Sequence, residues 1–404
     1  MSLFFLMMQP LLIRFLFILV LLNSYFAKSQ ILPITADFNY LYQSNAEIQL
    51  RHQLVYSNQM KWLFLEINFI GIPFDSLSVN FQFTEKPETS IVALENLALR
   101  NYQIYESGSI RRFAIEVNEN KYSLLVLHLV QLNSTNSFTY IINLSNTASF
   151  YFTEDFFTEP ILSGYATKDA IVKLNTLNED AVFYKAQFYA NSFSPALPPM
   201  ATSKTSNPLL KPDTTYQIKS GEYMPTNKIG AYTIVDGVSD DAIVYFRVVD
   251  NNYPLLTNIN DLIDASIYLF TKNEKEKINK STLPKKEYDM FWLENTGSPE
   301  RASKMISTYF SRVKEANIKF TSFKEGWKTD MGMIYIIFGP PSKVFRTDKG
   351  MQWVYNKTFE LPEIIFTFYI SNVTTEYYVL ERNVKFQSVW YRAVDLWRKG
   401  RKNM

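Results

Sequence analysis

Short apolar runs separated by polar turns recur through the first third of the chain. Residues 48–56, 62–69, 77–84, 111–117, 122–131 and 138–144 are rich in β-branched and aromatic side chains, with polar turns such as Asn118-Glu119-Asn120 and Asn133-Ser134-Thr135 between them. Val79, Phe81 and Phe83 alternate with Asn80, Gln82 and Thr84, which gives one dry face and one wet face. Runs of this length and spacing predict an antiparallel β-sandwich of the Ig-like kind over residues 36–150. Runs at 170–174, 181–189, 216–220, 230–235 and 242–249 predict a second such domain over 155–255. Between them Ser194 to Pro212 carries Pro195, Pro198, Pro199, Pro208 and Pro212, and reads as an extended surface excursion.

After Pro254 the period lengthens. Ile259, Leu262, Ile263, Ile267 and Phe270 share one helical face. The charged run from Lys272 to Lys280 reads as a solvated helix end or loop. Pro284 opens a helix with Tyr288, Phe291 and Trp292 on one side. Ser298-Pro299-Glu300 supplies an N-cap, a proline at the first helical position and an early acid. The helix that follows repeats apolar side chains at Ala302, Met305, Ile306, Tyr309, Phe310, Val313 and Ala316. Strands are expected at 352–355, 363–370 and 376–380, then a short aromatic helix around Trp390, Val394 and Trp397. The whole predicts an α+β domain over 256–400.

Inside that domain lies the most specific stretch of the chain. Gly326-Trp327-Lys328-Thr329-Asp330 joins a turn residue, a large aromatic and two side-chain cappers. The six residues from Met333 to Phe338 are all apolar or aromatic and predict a buried strand. Gly339-Pro340-Pro341 ends it, because proline has no N–H for a ladder. With Tyr288-Asp289-Met290-Phe291-Trp292 upstream, and Trp353 and Trp390 to Trp397 downstream, the stretch resembles the signature of the GWxTD-domain family, exported proteins of Bacteroidota. The resemblance implies β-domains upstream and an envelope location, and brings no established activity with it.

Composition narrows the function classes. Of 404 residues, 47% are hydrophobic and 12 are glycine, so large cores are available and collagen-like classes fall away. Arg14, the apolar run 15–22 and Ala27-Lys28-Ser29 read as a signal peptide over residues 1–29, cleaved before Gln30. The mature chain then has 39 basic and 39 acidic residues, because Arg14 and Lys28 leave the 41 and 39 of the whole chain. A neutral protein has no general electrostatic pull toward nucleic acid. No cysteine is present, which removes disulfides, thiolate chemistry and an acylated lipoprotein N-terminus. No long apolar run follows Leu22, so no membrane-spanning helix is expected after signal cleavage.

Candidate chemistry is sparse. His52 and His128 each stand alone in a β-run and read as strand residues, so no metal or cofactor is expected. Asp236-Gly237-Val238-Ser239-Asp240-Asp241 lacks EF-hand spacing and reads as a polar hairpin turn. Ser311-Arg312-Val313-Lys314 has S-x-x-K spacing without its companion motifs. Asp75-Ser76-Leu77 and Asp213-Thr214-Thr215 look like O-glycosylation acceptors. No catalytic set emerges. The signature keeps two readings. In one, Trp327 fills a core, Thr329 and Asp330 accept backbone N–H groups, and Gly326 supplies a conformation other residues resist. In the other, Trp327, Thr329, Asp330, Tyr335 and Trp353 border a groove where the ring stacks on a sugar or a peptide. The expectation is a non-enzymatic exported protein of the periplasm or outer membrane, with other envelope proteins as partners. The alternative is a protein that binds or hydrolyses glycan or peptidoglycan near Trp327.

Overall fold

A computed structural model of the chain describes residues 37–57, 60–85, 95–117, 121–145, 148–154, 159–177, 182–190, 193–202, 211–236, 243–347, 350–371 and 377–401. The expected signal segment lies outside the described residues, as does most of the Asp236–Asp241 turn.

The apolar runs form strands. The first region holds β1 (Ile48–Ser57), β2 (Met60–Phe69), β3 (Leu77–Thr84), β4 (Glu95–Asn96), β5 (Gln103–Ser107), β6 (Ile110–Val117), β7 (Leu124–Gln131) and β8 (Ser137–Asn143). They pair antiparallel into two sheets, β1-β2-β6-β5 and β4-β3-β7-β8. Leu63, Leu65 and Phe113 of one sheet and Leu125, Leu127 and Leu129 of the other belong to a single apolar core.

A second core gathers β9 (Phe150–Glu154), β10 (Tyr165–Thr167), β11 (Val172–Thr176), β12 (Phe183–Ala190), β13 (Thr214–Lys219), β14 (Gly230–Asp236) and β15 (Ile243–Val249). Its main sheet runs β10-β15-β14-β12-β13, beside a two-stranded ladder of β11 and β9. The β10–β15 pairing is parallel, so this region is not antiparallel throughout.

The third core is α+β. Its helices are α1 (Ile259–Ala265), α2 (Lys272–Lys280), α3 (Pro284–Thr296), α4 (Pro299–Phe320), α5 (Asp330–Phe338) and α6 (Gln387–Arg398). The charged run 272–280 is a complete helix, because Thr271 and Glu274 form a reciprocal capping box. An antiparallel sheet follows, in the order β16 (Lys343–Thr347), β17 (Gly350–Tyr355), β18 (Ile364–Ile370) and β19 (Tyr378–Leu380).

The main correction falls on the signature. Residues 333–338 are helical, within α5, and not a strand. All nine residues of α5 are buried, against α4, β19 and α6. A helix enclosed on every side has no polar face, so its sequence carries no 3.6-residue period. Its ends carried the legible clue. Thr329 is the N-cap and Gly339 the residue after the last turn. Gly339 has φ +90°, which disfavours any residue with a Cβ.

Both open edges of the last sheet are covered. Val344 of β16 donates its N–H to Asp37 Oδ1 at 2.9 Å, and its carbonyl accepts from Phe38 N at 2.8 Å. On the other edge, Leu380 N of β19 donates to Asp330 Oδ2 at 2.8 Å. An exposed row of such groups invites pairing with another chain, so covering it has physical value.

Candidate functional site

The signature begins in a tight 3-10 turn, Gly326–Lys328. Gly326 is required by proximity. A Cβ there would stand 1.9 Å from the Ala316 carbonyl oxygen of α4. The expected special backbone conformation at Gly326 is therefore replaced by a close helix–turn contact. Gly326 N donates to Thr321 Oγ1 at 3.1 Å, and Trp327 N to Asn317 Oδ1 at 3.1 Å. Asn317 is fully buried and spends its amide N–H on Pro254 O at 3.0 Å. It thus clamps the turn to the segment after β15.

Thr329 closes the turn onto α5. Its Oγ1 donates to Gly326 O at 2.7 Å and accepts from Gly332 N at 2.9 Å. Asp330 behaves differently from the expected turn capper. Its carboxylate leaves the turn and reaches Leu380 N, and it ion-pairs Arg382 through both guanidinium N–H groups. The two side chains are 4% and 8% exposed, so the pair is sequestered. Arg382 also donates to Leu197 O at 3.1 Å.

Charges surround this pair. Arg247 of β15 is fully buried and donates to Phe323 O at 2.6 Å and to Glu325 Oε1 at 2.9 Å. Glu325 also meets Lys328 Nζ at 3.0 Å. Burial pushes the Glu325 carboxyl up, but Arg247 and Lys328 outweigh it and hold its pKa below the usual value. Lys324 lies over the rings of Phe323 and Tyr377 at 5.9 and 5.7 Å, and burial pulls its pKa down to about 8.

The proline-rich excursion is also corrected, for its described part. Residues 193–202 run along the signature. Ala196 N donates to Lys328 O at 2.9 Å, Asn383 N donates to Pro199 O at 2.9 Å, and Phe193 packs on Phe323. Prolines suit an extended strap that makes few backbone bonds of its own.

The five candidate ligand-binding residues are all interior. Trp327 is 4% exposed, Thr329 and Asp330 3%, and Tyr335 and Trp353 0%. They fall into two groups with different neighbours. Trp327 lies by Tyr268, whose hydroxyl donates to Trp327 O at 3.0 Å, and under Lys328 Nζ at 5.3 Å. Trp353 packs on Tyr42, Phe320 and Phe368, and Tyr335 donates to Tyr42 O at 3.1 Å. Gly339, Pro340 and Pro341 end α5, whose last carbonyls are met by Arg312 and by Trp397 Nε1 at 3.0 Å. Cations and N–H donors there satisfy a buried helix C-terminus.

The remaining motifs stand apart from this centre. Ser311 and Lys314 are exposed on α4. His128 is buried, with Nδ1 2.9 Å from Thr139 Oγ1, and burial lowers its pKa. His52 lies in β1. Thr214 is exposed at the start of β13, and Ser76 donates to Pro73 O. Among the described residues no group of three or more potential metal ligands sits together, and no helix is long and apolar enough to cross a membrane. Sequence reasoning missed Arg247, Asn317 and Arg382, which carry no motif and act across 76, 10 and 52 positions.

A buried turn, capped into an enclosed helix and cross-linked by ion pairs, defines an α+β domain organised around an internal polar centre. Residues 230–399 match the family model of the GWxTD domain, so the chain carries that domain. The match begins at β14 and takes in Arg247 with β15. A search of curated proteins finds no match.

Proposed function

We propose that the protein is a non-enzymatic exported component of the cell envelope, in which the GWxTD domain is an interaction or scaffold element. One observation carries this reading: every signature side chain is spent inside the fold. Trp327, Thr329 and Asp330 are at most 4% exposed, and the carboxylates that flank the tryptophan in the chain, Glu325 and Asp330, are paired with arginines. A general acid, base or nucleophile has to reach its substrate, and these groups face protein. The alternative, a glycan or peptidoglycan groove at Trp327, loses support for the same reason.

On this reading residues 1–29 are a cleaved leader, and the two β-regions, 36–150 and 155–255, are Ig-like, the second running into the matched domain at β14. Two four-stranded sheets sharing one core favour this for the first region. Gentle extraction of the tagged protein from its native host, followed by co-purification, tests the proposal. Stable envelope partners are expected. A protein that runs alone, or one that releases sugar from a peptidoglycan preparation, would overturn it.

A further inference from the structure

Residues 37–44 are remote from the last domain in sequence, yet they place two aromatic side chains in its core. Phe38 is 5% and Tyr42 8% exposed, and both belong to the same apolar cluster as α4, α5 and the last sheet. Tyr42 sits 4.8 Å from the Trp353 ring and 6.0 Å from Phe320, with its hydroxyl 3.3 Å from Met351 Sδ. The main chain of the segment is read as closely as its rings. Tyr335 Oη donates to Tyr42 O at 3.1 Å, and Lys319 Nζ to Gln43 O at 3.2 Å. Ser44 Oγ donates to Glu315 Oε2 at 2.8 Å, and the amides of Asn39 and Gln43 reach Ser342 O and Pro341 O. Asp37 and Phe38 close the edge of β16 through Val344, while Arg346 lies 5.4 Å over the Phe38 ring.

These are the parts of a peptide-recognition site: a strand edge, an aromatic hole and side-chain donors aimed at main-chain carbonyls. Tyr40 points the other way and pairs with Thr139 of β8, so the segment is wedged between the first region and the last. Only residues 45–47 join it to β1. The Tyr335 hydroxyl, which is not part of the signature turn, lies against both Tyr42 O and the Glu315 carboxylate, and Glu315 also accepts from Ser44 Oγ.

We propose that the groove between α4, α5, β16 and β17 is a peptide-docking site whose resident ligand is the chain's own segment 37–44. The site reads an acidic residue followed by two aromatics four positions apart, Asp37, Phe38 and Tyr42. The proposal goes beyond the scaffold reading and does not rest on it, since envelope partners bear on one and peptide binding on the other.

The test uses the full chain with a protease site placed between Asn45 and Ala46. After cutting, the released segment is competed away with an excess of a fluorescent synthetic peptide spanning residues 35–45, and anisotropy follows binding. Saturable uptake is expected in the cut chain and not in the uncut chain, where the site is filled. A peptide carrying Tyr42→Ala is expected to bind at least tenfold more weakly. A cut chain that stays folded and takes up no peptide would overturn the proposal. So would one that unfolds on cutting, because a binding site must survive the loss of its ligand. Equal binding to the uncut chain would place the peptide elsewhere and also overturn it.

Discussion

The first β-region and the signature centre solve the same packing problem by different means. The core of the first is apolar, built from Leu63, Leu65, Phe113, Leu125, Leu127 and Leu129. Its buried carboxylate, Glu66, sits at the margin and pairs with Arg51 and Arg112, whose side chains are 39% and 26% exposed. The signature centre instead encloses charge. Arg247, Glu325, Lys328, Asp330 and Arg382 have side chains at most 11% exposed and are joined by directed bonds. An apolar core accepts any side chains of about the right volume. An enclosed ion pair accepts only its partner, because a buried charge left alone is costly. The first region is therefore specified by volume, and the signature by connection.

The largest effect should come from breaking one connection. Asp330→Ala would leave the Arg382 guanidinium enclosed without its carboxylate and Leu380 N–H without an acceptor. The expected cost is about 3–5 kcal/mol, read from urea unfolding of the full chain. An ordinary capping acid would cost only about 0.5–2 kcal/mol. Adding Arg382→Met should recover most of the loss. If the double variant is no better than Asp330→Ala, the pair is not what holds the two elements together.

Trp327→Ala should cost as much, about 3–5 kcal/mol, through a cavity in the shared core. Thermal unfolding should show the last domain melting early. A variant that melts like wild type and loses a partner would move Trp327 from packing to recognition.

A moderate effect should follow pH. Lys324 titrates near 8 in the fold and at its ordinary 10.5 when unfolded. Between those values the unfolded chain binds more protons, so stability should rise with pH from about 8. Buried tyrosines such as Tyr268 and Tyr309 hold their protons well above the ordinary 10.0, which reverses the trend beyond pH 10. Lys324→Met should flatten the rise between pH 8 and 10. An unchanged slope would show that Lys324 is solvated.

The smallest effect sharpens the contrast from the other side. Leu127→Met in the first core should cost less than about 1.5 kcal/mol. Asp330→Asn, equally conservative in volume, should cost more than Leu127→Met. Equal melting temperatures would remove the distinction between volume and connection.

Much of the architecture was legible in the chain. Runs rich in β-branched and aromatic residues between polar turns located β1, β2, β3, β6, β7 and β8, although β2 and β7 are buried at five consecutive positions and Thr84, expected on the wet face of β3, is buried. Ser298-Pro299 marked the start of α4, and the signature residues marked the domain that the family match supports. The candidate site was legible as a stretch and not as an arrangement. Met333 to Phe338 looked like a strand because enclosure on all sides erases the helical period. The role of Asp330 depends on Arg382, fifty-two positions away, and that of Trp353 on Tyr42, over three hundred positions earlier. Local pattern records which faces are dry. It does not record which dry face meets which, and only the folded chain brings those partners within bonding distance.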